Sequence, residues 1–253
     1  MTTHFKLPEV TKLVEAGVSV MLTGEKGSGK TTIASQVAKN LDLSFFTMSM
    51  TRQTTLSLLL GFRSVTGVYI PTPLRSAVEN GGIFLLDEID AADPNVLLSL
   101  NTIENGYVSF PDAMVDCHKN FRLMATANPQ NEHHHYTGRA KLDAATLDRF
   151  DIIDIDRDQN LEASLVDSDT LRHIQLIRQI ISKNNADLTI SMRDSMRFQL
   201  RKDLDLLEGF TKKIFGDNAY LYTQYEEERL KMPKFQNQED CITFEDLTAL
   251  LKT

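Results

Sequence analysis

Gly24-Glu25-Lys26-Gly27-Ser28-Gly29-Lys30-Thr31 decides how this chain is read. It fits Gly-x-x-x-x-Gly-Lys-[Ser/Thr] in full. An apolar run, Val18–Thr23, leads into it, and the pattern behind it predicts a helix from Lys30 to Asn40. Glycines let a short backbone fold around a polyphosphate, so that successive N–H groups point at phosphate oxygens beside a helix N-terminus. Gly24 through Thr32 are therefore the candidate nucleotide-binding residues. In that arrangement Lys30 reaches the β and γ phosphates and the Thr31 hydroxyl serves Mg2+. The alternative is a chance glycine-rich turn, and the strand–loop–helix context argues against it.

Four further strand-length apolar runs follow: Ser44–Met48, Ile83–Asp87, Arg122–Ala127 and Ile152–Ile155. Near-continuous apolar runs suit strands buried on both faces, as in a parallel sheet covered by helices. Helix signals lie between them. Asp93-Pro94 reads as an N-cap with proline at the first helical position, and Gly106 stands where that helix stops. Pro73 opens another helix, which Gly81-Gly82 closes. Five strands with intervening helices read as one α/β domain, residues 1–157.

Ile83-Phe-Leu-Leu-Asp87-Glu88 is an apolar strand ending in two carboxylates, and Asp87 follows Lys30 by 57 residues. Parallel sheets place ligands at the carboxyl ends of their strands. Asp87 then faces the nucleotide and holds Mg2+, and Glu88 is placed to orient and deprotonate an attacking water. Asn128 ends the run Arg122-Leu-Met-Ala-Thr-Ala-Asn128-Pro129. Beside the Asp87 strand its amide would reach the water or the γ-phosphate, although Asn-Pro is also an ordinary turn. Arg149, in Leu147-Asp-Arg-Phe150, closes a short helix predicted over Asp143–Phe150. It is a candidate to stabilise charge on the transferring group, against the default of a surface ion pair. Arg139 is a weaker candidate, and Arg193, at the start of a later helix, a further one.

Beyond about Asp158 strand runs vanish and helical patterns take over, so residues 158–253 read as an all-α unit. Ser191-Met-Arg-Asp194 and Thr243-Phe-Glu-Asp246 both fit a capping box with Asp in place of Glu. The whole chain has 253 residues, 27 Lys+Arg against 35 Asp+Glu, and 42% hydrophobic residues. Such a composition excludes a disordered, collagen-like or disulfide-stapled chain. No window approaches ~18 consecutive apolar residues. The opening MTTHFKLPEV lacks the layout of a signal peptide. Cys117 and Cys241 read as packing residues, and the expected compartment is the cytoplasm of a bacterial or phage-infected cell. The formal net charge of −8 argues against a broad nucleic-acid face.

Taken together, the phosphate loop, Leu-Leu-Asp-Glu, Ala-Thr-Ala-Asn-Pro, Leu-Asp-Arg-Phe and the helical tail resemble an AAA+ ATPase of the MoxR and dynein-related branch. Within it, Asn120–Asn128, Tyr136-Thr-Gly and Leu147–Phe150 are similar to the small ATPase subunit of aerobic cobalt chelatase and its phage relatives. The resemblance implies a five-stranded parallel P-loop sheet covered by helices, then a small all-α lid. It also implies a ring of six copies with ATP and Mg2+ between neighbours. In that family's terms Asn128 becomes the sensor-1 residue, Arg149 the finger acting on the neighbour's ATP, and Arg193 the lid's sensor-2 arginine.

Two hairpin insertions fit the same branch: Gly61–Pro71, and Tyr107–Phe110 with Met114–His118. In relatives they face the pore or client, making Arg63, Val65, Tyr69 and Tyr107 candidate contacts; ordinary edge hairpins are the alternative. His133-His-His135 reads as a solvated loop rather than a metal site, since no further ligand spacing supports one. The expected activity is Mg-dependent ATP hydrolysis driving the remodelling of a protein partner, one carrying a von Willebrand factor A domain among the possibilities. The alternatives are an ATP-driven nucleic-acid machine and a slow regulatory nucleotide-binding subunit. An intact Glu88 argues against the latter.

Overall fold

The computed structural model describes residues 3–129, 142–207 and 209–232. The chain forms two compact units, one of them His4–Asp156 and the other beginning at Arg157.

The first unit opens with α1 (Leu7–Glu15), β1 (Val20–Thr23), α2 (Lys30–Asn40) and β2 (Phe45–Ser49). Then come α3 (Leu56–Leu60), β3 (Phe62–Arg63), β4 (Tyr69–Ile70), α4 (Pro73–Asn80) and β5 (Gly82–Asp87). A 3-10 turn (Ile89–Ala91) and α5 (Pro94–Leu97) lead to β6 (Tyr107–Ser109), β7 (Met114–Asp116) and β8 (Phe121–Ala127). The unit closes with α6 (Ala144–Asp148) and β9 (Asp151–Asp154).

Five strands make one parallel sheet in the order β2-β5-β8-β1-β9. All five expected runs are in it, so the expected α/β fold is the observed one. The reason the runs lack alternation is visible in β5. Successive side chains leave a strand on opposite faces. Phe84 and Leu86 enter a core with Leu59, Leu74, Val78 and Leu123. Ile83 and Leu85 enter another, against Leu7, Val10 and Val14 of α1 and Ile33 and Val37 of α2. Both faces are covered, so both sets are apolar.

The helix that Asp93 opens departs from expectation. Asp93 Oδ1 does accept from Asn95 N at 2.8 Å. Past Leu97, however, the chain winds as a 3-10 helix, Leu98–Asn105, before Gly106 ends it in the left-handed region. Ser99 Oγ donates to Val96 O at 2.6 Å. A serine hydroxyl bonded to the preceding turn competes with regular winding.

Both expected hairpins form, β3 with β4 and β6 with β7. They are joined. Arg63 Nε donates to Pro111 O at 3.2 Å. Arg75 of α4 pairs with Asp112 Oδ1 at 2.8 Å and lies over the rings of Tyr69 and Phe110 at 5.3 and 4.7 Å. Val65 at the first tip is fully exposed, as are large parts of Phe62, Val68 and Met114.

The second unit is helical in its described part: α7 (Gln159–Leu165), α8 (Ser168–Lys183), α9 (Met192–Asp203), α10 (Phe210–Phe215) and α11 (Ala219–Lys231). Its core joins Ile174, Ile177, Ile180 and Ile181 of α8 to Phe198, Phe215, Leu221 and Tyr225. The Ser191–Asp194 capping box is present in both directions. Among the described residues no helix is long and apolar enough to cross a membrane.

Candidate functional site

Strand ends bring the candidate residues together. β1 delivers Gly24 at its carboxyl end, and β5 delivers Asp87 at its own. β8 lies between β5 and β1, with Leu86 opposite Ala125 and Thr23 opposite Ala127. Asn128, one residue past β8, therefore stands between the loop strand and the carboxylate strand.

The loop's glycines have specific causes. A Cβ on Gly24 would stand 2.4 Å from the Ile155 carbonyl, nearer than real Cβ atoms come, and its φ is +154°. Gly29 precedes α2 with φ 95°, a left-handed cap that turns the loop into the helix. The strand below is braced, because Thr23 donates its hydroxyl to Asp154 Oδ1 at the end of β9. The Lys30 ammonium folds back on the loop, donating to Gly24 O at 2.6 Å and Glu25 O at 2.9 Å. Ser28 Oγ is buried with no hydrogen-bond partner. A buried donor without a partner, in a glycine-rich loop that runs into a helix N-terminus, suits an anion with many acceptor oxygens.

Asp87 is half-buried. Its Oδ1 accepts from Thr31 Oγ1 at 3.1 Å and from Thr126 Oγ1 at 2.6 Å. A hydroxyl and a carboxylate are hard oxygen donors, of the kind that hold Mg2+ together with substrate phosphates. Among the described residues no group of three or more His, Cys, Asp or Glu is placed to hold a metal alone. Glu88 follows in the left-handed region, φ 60° and ψ 46°. That turn sends the chain into the short 3-10 helix, where the buried Asp90 accepts from Asn128 Nδ2 at 3.3 Å.

Arg149 stands apart. It ends α6, whose N-cap Asp143 accepts from Thr146 N at 2.6 Å. Capping by Thr146 backbone and side chain, with Arg149 adding its charge, holds the Asp143 carboxyl below its ordinary range. Two residues after Arg149, Asp151 N donates to Ser19 O at the start of β1. Arg149 therefore lies at the amino edge of the sheet, about 16 Å along the strands from the phosphate loop, five residues from Ser19 to Gly24 at ~3.3 Å each. Its Nε pairs with Glu104 Oε1 at 3.2 Å. Arg193 belongs to the helical unit, exposed in the first turn of α9. Arg139, His133–His135, Tyr136, Cys241 and Thr243–Asp246 lie outside the described residues.

Sequence reasoning passed over Thr126, Asp90 and the Thr23–Asp154 pair. Thr126 is named by nothing but register: it becomes a neighbour of Asp87 only once β8 is placed beside β5.

The class follows from this arrangement: an α/β nucleotide-binding domain with a phosphate loop on β1 and an acidic pair on the strand two places away. More particularly, the chain belongs to the AAA domain family of the dynein-related subfamily, whose model matches residues 19–150. This is a family of ATPases, which agrees with the site's chemistry. Midasin of Giardia intestinalis is 28% identical over 236 residues, covering 82% of this chain and 5% of midasin. The chain thus spans a small part of that relative. An uncharacterized protein of Staphylococcus epidermidis is 26% identical over 193 residues, 70% of this chain and 70% of that protein. The crystal structure of NtrX from Brucella abortus shares the fold, with a TM-score of 0.53 at 15% identity over 100% of this chain and 61% of that one.

Proposed function

We propose that the chain is the ATP-hydrolysing subunit of a homo-oligomeric ring that remodels or activates a protein partner. The observation that carries the reading is the division of candidate residues between two edges of one sheet. Lys30, Thr31, Asp87, Glu88 and Asn128 converge at the carboxyl edge. Arg149 lies at the amino edge, a strand length away. An arginine so placed suits the nucleotide of a neighbouring copy better than that of its own chain.

In this reading the amides of Gly24–Thr32 and the Lys30 ammonium bind the phosphates. Thr31 and Asp87 hold Mg2+, which when bound neutralises charge on the β and γ oxygens. Glu88 orients the attacking water and takes its proton. Asn128, steadied by Asp90, hydrogen-bonds that water or the γ-phosphate. Arg149 stabilises charge on the neighbour's transferring group, and Arg193 contributes from the lid. Residues 1–157 form the nucleotide-binding domain and 158–253 the lid with C-terminal helices. The two joined hairpins carry exposed apolar side chains suited to a protein client. Among branches of the family we favour MoxR-like ATPases and the chelatase subunit, hence six copies and a partner with a von Willebrand factor A domain.

The test is steady-state ATP hydrolysis per subunit across a wide range of protein concentration, with Mg2+. The specific rate rises with concentration to a plateau, and Arg149→Ala abolishes it. A rate independent of concentration, with single chains confirmed by sizing, would overturn the shared site. Stimulation by DNA rather than protein would favour a nucleic-acid machine.

A further inference from the structure

Two features of the strand ends remain without a role in that scheme: the left-handed backbone at Glu88 and the hydroxyl of Thr126. They meet. The Glu88 N–H donates to Thr126 Oγ1 at 2.8 Å, and the same hydroxyl donates to Asp87 Oδ1 at 2.6 Å. Thr126 is buried to 1% exposure, one residue before the carboxyl end of β8, so its side chain has no freedom to serve elsewhere. A hydroxyl has one proton to give and lone pairs to receive. Here the proton goes to the carboxylate and a lone pair takes the amide.

Glutamate rarely adopts φ near +60°, because its Cβ crowds the backbone and it lacks the local bonds that help Asn and Asp there. At Glu88 the conformation is held from both sides. Thr126 takes its N–H, and its carbonyl accepts from Ala91 N at 2.9 Å. The conformation decides where the Glu88 side chain leaves the backbone, and so where its carboxylate stands relative to Asp87. Removing the hydroxyl would free the amide from its partner and leave Asp87 with Thr31 as its remaining hydroxyl donor.

We propose that Thr126 is a positioning residue for hydrolysis. Its one hydroxyl fixes the Asp87 carboxylate and the left-handed Glu88 backbone together, and so sets the distance between metal ligand and base. The inference rests on the reading of Glu88 as the base.

The experiment compares kcat, KM for ATP and thermal unfolding for Thr126→Val, Thr126→Ser and Glu88→Gln. It uses the full chain at a concentration on the plateau of specific activity. Valine keeps the shape and loses the hydroxyl. Thr126→Val is expected to lower kcat about 10- to 100-fold, the scale of a misplaced catalytic group, with KM within about twofold. Thr126→Ser restores most of the rate. In the Glu88→Gln background Thr126→Val causes no further loss, because the base it positions is already gone. If the valine chain does not fold, Thr126→Ala removes the same hydroxyl. A folded hydroxyl-free variant within twofold of the parent kcat overturns the inference, as does a serine variant as slow as valine. Glu88→Gln hydrolysing at the parent rate overturns the base assignment and this inference with it. Slow Glu88→Gln beside fast Thr126→Val overturns this inference alone.

Discussion

The carboxylates of Asp87 and Glu162 each accept a hydroxyl hydrogen bond, yet they sit in opposite kinds of cluster. Asp87 is half-buried at a strand end, and its hydroxyl donors are Thr31 and Thr126. Glu162 in the helical unit is 1% exposed, and both its oxygens take a forked pair of bonds from Arg178, at 2.8 and 2.7 Å, beside the bond from Ser195. Burial pushes the Glu162 carboxyl up, but Arg178 outweighs it and holds it below its ordinary range. Arg178 also donates to Ile190 O, so the cluster closes on itself. A closed cluster spends its charge on the fold. The cluster at the strand ends keeps a loop of backbone amides, a folded-back lysine and a buried serine hydroxyl beside its carboxylate, the donors an anionic ligand needs. Buried polarity alone therefore does not mark a site; what counts is whether its partners are already supplied by the chain.

The largest expected effects test that contrast at its open end. Glu88→Gln lowers kcat by about 10²- to 10⁴-fold, the range of a general base, while equilibrium nucleotide binding survives. Lys30→Ala weakens ATP binding by about 100-fold or more, since the charge-assisted bonds the ammonium would make to the phosphates are lost; titration with a fluorescent ATP analogue reads it. At the closed end, Glu162→Ala removes one member of a buried pair and costs about 3–5 kcal/mol of stability. Replacing both partners, as Glu162→Leu with Arg178→Met, recovers most of it in denaturant unfolding. If Glu162→Ala instead left stability intact and removed hydrolysis, the contrast would fail.

A third cluster, around Arg75, belongs with the closed kind. Arg75→Met loses the Asp112 pair and its stacking charge. It is expected to speed amide exchange in both hairpins together by several-fold, with basal hydrolysis unchanged; exchange in one hairpin alone would show them independent.

The smallest effect concerns pH. Burial raises the Asp167 carboxyl, but bonds from Lys202, Thr170 and Gln199 outweigh it and hold its pKa at about 2, below the ordinary 3.8. A depressed carboxyl stabilises the fold above pH 3.8, and that contribution fades as pH falls toward 2. Thermal unfolding at pH 5 and pH 2.5 reads it: Lys202→Met destabilises at the higher pH and less at the lower.

What the sequence made legible was local. The phosphate loop, the Leu-Leu-Asp-Glu strand end, the Asp143 and Ser191 caps and both hairpins each announce themselves within a dozen residues, because turn and capping chemistry act over that range. Strand order does not act so locally. That β8 lies between β5 and β1 puts Thr126 against Asp87 and Asn128 over Asp90, and neither pairing leaves a trace in spacing. The same holds for Arg122, whose guanidinium caps α1 through Val14 O at 2.7 Å from 108 residues away. It holds equally for Glu162 and Arg178, which met no motif because a closed ion pair needs none. The 3-10 winding after Leu97 was hidden differently, since an apolar stripe over Val96–Ile103 fits more than one helical pitch.

Whether Arg149 serves a neighbour's nucleotide is tested most directly by one mixing experiment. Arg149→Ala chains keep the proposed base and lack the proposed finger; Glu88→Gln chains keep the proposed finger and lack the proposed base. Each alone is predicted to be nearly inactive. Combined at plateau concentration they are predicted to recover a substantial fraction of the parent rate, because mixed neighbours rebuild complete sites. Mixtures no more active than the sum of their parts at every ratio, although the two chains co-assemble, would contradict it.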